Sequence, residues 1–243
     1  MFLLLLGVLF GGLAHASPSA TLERIEALDA WRDLRKAEGP PPIPREEYQQ
    51  AIGGEIVTGL QTVEGHRARK AYGVAIVDVP IGQLWAAIND ELSHDDYTQV
   101  SYTELLQGQR CESGRAVLMY LPVPLVSNRW WITHLSINRP LVTQSSGQAR
   151  ELYWRSTVDP AKITSEEGQE TIRGGIPIAF TKGGWFLGRI DDRRTLLEYY
   201  VWTDPGGRIP AGPASRFAAG SIVETIEAMK TFAREGQIHC PVP

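Results

Sequence analysis

Between Val100 and Thr203 the chain offers strand after strand with little room between them. Segments 99–108, 115–121, 128–138, 149–157, 174–182, 184–190 and 194–203 read as strands, and short turns such as Glu112-Ser113-Gly114 and Asp191-Asp192 separate several of them. Parallel neighbours need long crossovers, so links this short dictate an antiparallel meander. Strands twist, so a sheet this extended curls, and its apolar face needs a cover. The element available is a helix from about Ala214 to Glu235, with Ile222, Ile226, Met229 and Ala233 on one face, Phe232 beside it and Gly236 as its stop. The expected class is α+β: a curved antiparallel sheet gripping a long C-terminal helix around a hydrophobic tunnel.

Upstream, Leu22, Ile25, Leu28, Trp31 and Leu34 recur every three residues among charges. They predict an amphipathic helix that ends before Gly39 and the Pro40-Pro41-Pro42 run. A Gly-rich stretch near Gly53-Gly54 leads to a strand at about 67–79, and Pro80 opens a short helix carrying Leu84, Trp85 and Ile88. The chain of 243 residues is 43% apolar and 21% charged, which excludes a disordered, fibrous or multispanning protein. Net charge is −4, without the basic excess of a nucleic-acid binder. The division expected is a leader (1–16), an N-terminal helix and linker (17–54), one domain (55–236) and a tail (237–243).

The run from Met1 to Ala14 holds no charged residue and is shorter than the roughly 20 apolar residues of a membrane span. Ala14-His15-Ala16 fits a signal-peptidase site, leaving Ser17 as the mature N-terminus. Export is expected, with a bacterial periplasm as the destination. In an oxidising compartment Cys111 and Cys240 are available to pair, closing a loop of about 130 residues, a link that loop entropy values at about 4–5 kcal/mol. One pair at such separation is no motif, so bridged and free thiols both stand.

Two segments resemble a known family. Leu121-Pro122-Val123-Pro124-Leu125-Val126-Ser127-Asn128-Arg129-Trp130-Trp131 resembles the Pro-x-Pro…Ser-Asn-Arg stretch of START lipid-transfer domains, closest to those of the phosphatidylcholine-transfer type. Tyr199-Tyr200-Val201-Trp202-Thr203-Asp204-Pro205-Gly206-Gly207-Arg208-Ile209-Pro210 resembles the junction in those domains where an aromatic strand meets Asp/Asn-Pro-Gly-Gly-x-Ile-Pro before the lid helix. The resemblance covers about 55–240. It implies a helix-grip fold that holds one lipid in an internal tunnel, with Pro122–Asn128 as a gate beside the lid helix and Trp131 at a headgroup position. The chain departs from the family at Leu135, where sterol binders carry an arginine, and at Val117, where the phosphatidylcholine binder has an aromatic. Ala211-Gly212-Pro213 replaces the aromatic after Ile-Pro.

Strand alternation puts Arg129, Thr133 and Leu135 on the face of Trp131, and His134 on the opposite one. On the junction strand Leu196, Glu198, Tyr200 and Trp202 share one face, and Leu197, Tyr199 and Val201 the other. Aligning the turn with sterol-type members turns the first set inward, with Arg129 as candidate partner for a tunnel carboxylate at Glu198. The alternative has Glu198 in solvent and Arg129 capping the gate loop. Trp185 is read as core or tunnel wall. The expected ligand-contacting set is therefore Arg129, Trp131, Thr133, Leu135, Trp185, Glu198, Tyr200 and Trp202, with Ile222, Ile226 and Met229 from the helix.

Catalytic signatures do not occur: there is no Gly-x-Ser-x-Gly, P-loop, His-Glu-x-x-His or Cys-x-x-Cys. His94-Asp95-Asp96 reads as a polar turn rather than a metal site. Neither metal nor cofactor is expected, and the reading is a monomeric, non-enzymatic carrier of a sterol, phospholipid or fatty-acid-like ligand, with transient membrane-surface contact. The competing readings are a polyketide cyclase or aromatase-like enzyme in the same tunnel, with Glu198 or Tyr200 as its acid or base, and a tunnel-less interaction module plugged by Trp131, Trp185 and Trp202.

Overall fold

The structure is a computed structural model that describes residues 17–37, 42–66, 68–124, 126–206 and 211–243, with the side chains of 221–243 only in the last segment. The leader (1–16), the expected helix stop at Gly39-Pro40-Pro41, and Gly207 to Pro210 of the junction lie outside the described residues.

Among the described residues nine strands form a single sheet. They are β1 (Val57–Gln61), β2 (Lys70–Val77), β3 (Tyr102–Gln107), β4 (Arg115–Leu121), β5 (Arg129–Ile137), β6 (Ala149–Thr157), β7 (Ile176–Pro177), β8 (Phe180–Arg189) and β9 (Thr195–Asp204). Their order is β1-β2-β9-β8-β6-β5-β4-β3, all antiparallel, with the two-residue β7 parallel to β5. The meander is as expected, but β1 precedes the strand expected at about 67–79, in a stretch where no strand was expected. Segments 174–182 and 184–190 do not form two long strands; 180–189 is one continuous strand. Its Gly183-Gly184 pair looks like a break and is instead a contact. A Cβ at Gly183 would collide with the Tyr200 carbonyl oxygen and lie 2.6 Å from the Trp154 ring.

The helices are α1 (Pro18–Ala27), α2 (Asp29–Arg32), α3 (Arg45–Ile52), α4 (Ile81–Ile88), α5 (Arg139–Gln144), α6 (Glu166–Ile172) and α7 (Ala211–Glu235), with a 3₁₀ turn at Glu91–Asp96. The expected N-terminal helix begins at the Ser17 cap, whose hydroxyl accepts from the Ala20 N–H at 3.2 Å, and is divided at Leu28, whose side chain seats over Gly188. α7 starts three residues earlier than the periodicity indicates. Among the described residues no helix is long and apolar enough to cross a membrane.

Both faces of the sheet are covered. On the inner face, Ala71, Ala75 and Val77 of β2, Trp185 and Leu187 of β8 and Leu197 of β9 pack with Ile222, Ile226, Met229 and Phe232 of α7 and with α4. Small side chains on β2 admit α7: a Cβ at Gly73 would lie 2.5 Å from Ile222 Cγ2 and 2.7 Å from Ile226 Cδ1. On the outer face, Tyr72, Val74, Phe186, Leu196 and Tyr200 pack with Leu22, Ile25 and Leu28 of the N-terminal helices and with Tyr48 of α3. Fully burying one such aliphatic side chain stabilises by about 1.5–3 kcal/mol.

Cys111 and Cys240 form a disulfide, Cα–Cα 5.6 Å, across a sequence separation of 129. The tail it ties down reaches α4, where a Cβ at Gly82 would lie 2.8 Å from the Pro243 carbonyl. Asp90, fully buried, accepts the His239 backbone N–H at 2.8 Å and Arg110 Nε at 2.6 Å. Beside it Arg115 and Glu91, 0% and 1% exposed, make a bidentate pair. His94 lies in the 3₁₀ turn, its ring edge-on to Phe232 and against the Ala87 carbonyl.

Candidate functional site

The inner face of the sheet changes character along the helix that covers it. Beneath Ile222, Ile226 and Met229, exposed by 1%, 0% and 0%, it is closed core. These three anchor α7 against β2 and α4. Beyond these three the inner face carries Trp131 and Thr133 of β5, Met119 of β4, Trp154 of β6, and Tyr199 and Val201 of β9. Most of these are only partly buried. Trp185 stacks on Tyr199 (ring centroids 4.0 Å, 24° between planes), and Trp154 lies beyond it (5.9 Å, 25°). Offset aromatic stacking of this kind makes a rigid, flat apolar wall. Desolvation alone raises the Tyr199 phenol well above its ordinary pKa, so the ring stays neutral. Its hydroxyl has no hydrogen-bond partner among the described residues. Thr133 offers a second hydroxyl, 3.5 Å from Met119 Sδ.

Arg129 closes one end of this wall. It is 3% exposed, and its guanidinium donates to the carbonyls of Pro205 (2.6 Å), Gly206 (3.4 Å) and Ser127. It therefore ties the 122–128 loop to the turn that precedes α7. No carboxylate pairs with it among the described residues, and burial lowers its pKa. The loop-capping alternative is the one realised. The Arg129–Glu198 pair does not form, because the two side chains leave the sheet on opposite faces.

Glu198, Tyr200 and Trp202 are corrected as a set: they face outward, and Leu197, Tyr199 and Val201 face in. Nor does Glu198 meet solvent. It is 1% exposed, accepting from Arg32 Nη2 (2.6 Å) and Nε (3.1 Å), Tyr48 Oη (2.9 Å) and Arg35 Nη1 (3.1 Å). Two strands away, Glu151 accepts from the backbone N–H groups of Lys36 (2.8 Å) and Ala37 (3.0 Å), from Asn138 Nδ2 (2.6 Å) and from Tyr200 Oη (3.0 Å). The Arg32 and Arg35 guanidinium carbons lie 5.6 and 5.5 Å from the Phe186 ring centroid. Burial first, then the neighbouring carboxylates, holds the Tyr48 and Tyr200 phenols well above their ordinary range. These groups pin the N-terminal helices to the sheet. Trp202 lies further along the same face, donating to the Ala68 carbonyl at 3.1 Å.

Of the expected residues, then, Arg129, Trp131, Thr133, Leu135, Trp185, Ile222, Ile226 and Met229 share the inner face, and three do not. Sequence reasoning missed Trp154, Tyr199 and Met119. A signal for Tyr199 was present: two arginines on the N-terminal helix supply a partner for Glu198, which turns Tyr199 inward by alternation. Asp90, Cys111 and Cys240 place donor atoms within 4.8 Å of one another, but the two sulfurs are bonded to each other, which removes them as metal ligands.

No family model matches the chain, and no curated protein sequence does. Solved structures do. A STAR-related lipid transfer protein from Xanthomonas axonopodis superposes with TM-score 0.59 at 19% identity, covering 75% of this chain and 99% of its own. Human StAR-related lipid transfer protein 5 gives 0.61 at 13% identity, covering 89% and 97%, and human STARD10 gives 0.58 at 15%, covering 82% of each. The chain has the START-type helix-grip fold, as the two resembling segments implied.

Proposed function

We propose that this protein is a carrier that holds one hydrophobic ligand, sterol, phospholipid or fatty-acid-like, between the inner sheet face and α7. The observation that carries the reading is the Trp154–Tyr199–Trp185 wall, with a hydroxyl that has no partner among the described residues set in an apolar surface. An apolar surface with a few fixed polar groups is the usual composition of a lipid or cofactor site. The same reading takes residues 1–16 as a cleaved leader and the periplasm as the place of work. A disulfide linking residues 129 apart suits an oxidising compartment. The enzyme reading loses its two candidate groups, since Glu198 and Tyr200 both point away from the inner face and are engaged by the N-terminal helices. Native mass spectrometry of the chain from Ser17 onward, purified from its own compartment and followed by lipid extraction, tests the proposal. A stoichiometric added mass that extracts as lipid supports it. An empty protein that takes up no member of a lipid panel refutes it.

A further inference from the structure

The outer face of the sheet holds a second feature, separate from the inner wall. Register places five side chains in one row across five strands: Lys70 of β2, Trp202 of β9, Lys182 of β8, Arg155 of β6 and His134 of β5. The neighbouring row reads Tyr200, Gly184, Tyr153 and Ser136. The N-terminal segment covers the rows beyond and reaches Ala37 against Gly184, leaving a cavity of about 510 Å³ over these two rows, with Lys36 on its rim. That volume suits a small organic molecule.

Arg155 stands directly across from Lys182 in the register. The Lys70 and Lys182 ammonium groups lie 5.3 and 4.5 Å from the Trp202 ring centroid. No carboxylate lines the cavity among the described residues, although the chain as a whole is acidic, at −4. Burial, then Lys162 and Arg155, lowers the pKa of His134, in keeping with a locally positive field.

We propose that this groove binds a phosphate-bearing ligand, its oxyanion held by Arg155, Lys36 and Lys70 and its body resting on Trp202 and Tyr153. Phosphate suits the row better than a single carboxylate. The arginine fork matches two of its oxygens at once and leaves a further one for a lysine. The phosphate belongs either to a soluble ester or to a phospholipid headgroup.

Calorimetric titration of the full mature chain with pyrophosphate, and cosedimentation with phosphatidylcholine vesicles with and without phosphatidylglycerol, all at matched ionic strength, decide the matter. Saturable pyrophosphate binding that falls at least tenfold in Arg155→Gln and Lys70→Gln supports the site, and without vesicle binding it names a soluble ester. Cosedimentation only with phosphatidylglycerol vesicles, displaced by pyrophosphate and lost in Arg155→Gln, supports the site and names the headgroup. Absence of saturable binding to either probe, or equal binding by Arg155→Gln, overturns the proposal. Arg155 is exposed, so its variant folds and decides alone if Lys70→Gln does not. Lipid content by mass spectrometry is read separately, so failure of this groove leaves the inner-face carrier reading intact, and the reverse.

Discussion

Glu198→Gln removes one charge from the centre of the outer-face network and leaves the shape of the side chain. The amide retains an acceptor for Arg32 but turns a donor towards Arg35, whose Nη1 sits 3.1 Å from the present Oε2. Two guanidinium groups, with side chains only 9% and 16% exposed, then lie under the N-terminal helices without their carboxylate. Breaking a buried pair by removing one partner costs about 3–5 kcal/mol. Arg32 keeps Asp29 and the Ile25 carbonyl, which places the expected loss at the lower end, about 3 kcal/mol. For a chain of this size each kcal/mol moves Tm by about 2–4 °C, so the expected fall is about 6–12 °C. Circular-dichroism melts measure it, and native-state hydrogen exchange locates it. Protection is lost first at residues 18–37, while β8 and β9 keep theirs. Replacing Glu198 and Arg32 together by leucine recovers part of the loss, since an apolar pair carries no buried charge. A Tm change under about 2 °C, or unaltered exchange at 18–37, refutes the claim that this carboxylate pins the N-terminal helices.

Gly73→Val puts a branched side chain where a Cβ already meets Ile222 and Ile226 at 2.5 and 2.7 Å. Overpacking of this kind costs about 1–3 kcal/mol and should appear in a urea melt together with faster exchange along α7. The double replacement Cys111→Ser, Cys240→Ser frees a tail held across 129 residues and is expected to cost about 2–5 kcal/mol; an unchanged melting temperature would show that the tail docks unaided. Burial raises the phenols of Tyr48, Tyr199 and Tyr200 and pushes Tyr72 and Tyr102 up to about 12. The unfolded chain releases those protons near pH 10 while the folded one keeps them, so stability is intact below about pH 10 and falls as pH rises beyond it. A flat Tm across that range would contradict the burial of these rings.

How far the sequence could be read follows from what each strand buries. The meander and the terminal helix were legible because short turns and a 3.6-residue period are local signals. The orientation of β9 was not. Leu196-Leu197-Glu198-Tyr199-Tyr200-Val201-Trp202 is apolar on both faces, so alternation separates two sets without saying which is inside. A strand of that composition has to be covered twice, and the chain holds an amphipathic helix at each end to do it. Small residues then sort the faces. Ala71, Gly73 and Ala75 leave room for α7 on one side of β2, while Gly184 and Gly188 flank Phe186 and admit Ala37 and Leu28 on the opposite side of β8. The buried carboxylates follow from the same geometry, because Glu151 and Glu198 are tolerable only on the face where Arg32, Arg35 and the free N–H groups of Lys36 and Ala37 arrive. Treating residues 17–54 as a helix and linker apart from the domain hid those partners and turned Glu198 into the tunnel. Once the first helix is granted a place on the sheet, Tyr199 turns inward, and the aromatic wall on which the carrier reading rests follows from residues already in the sequence.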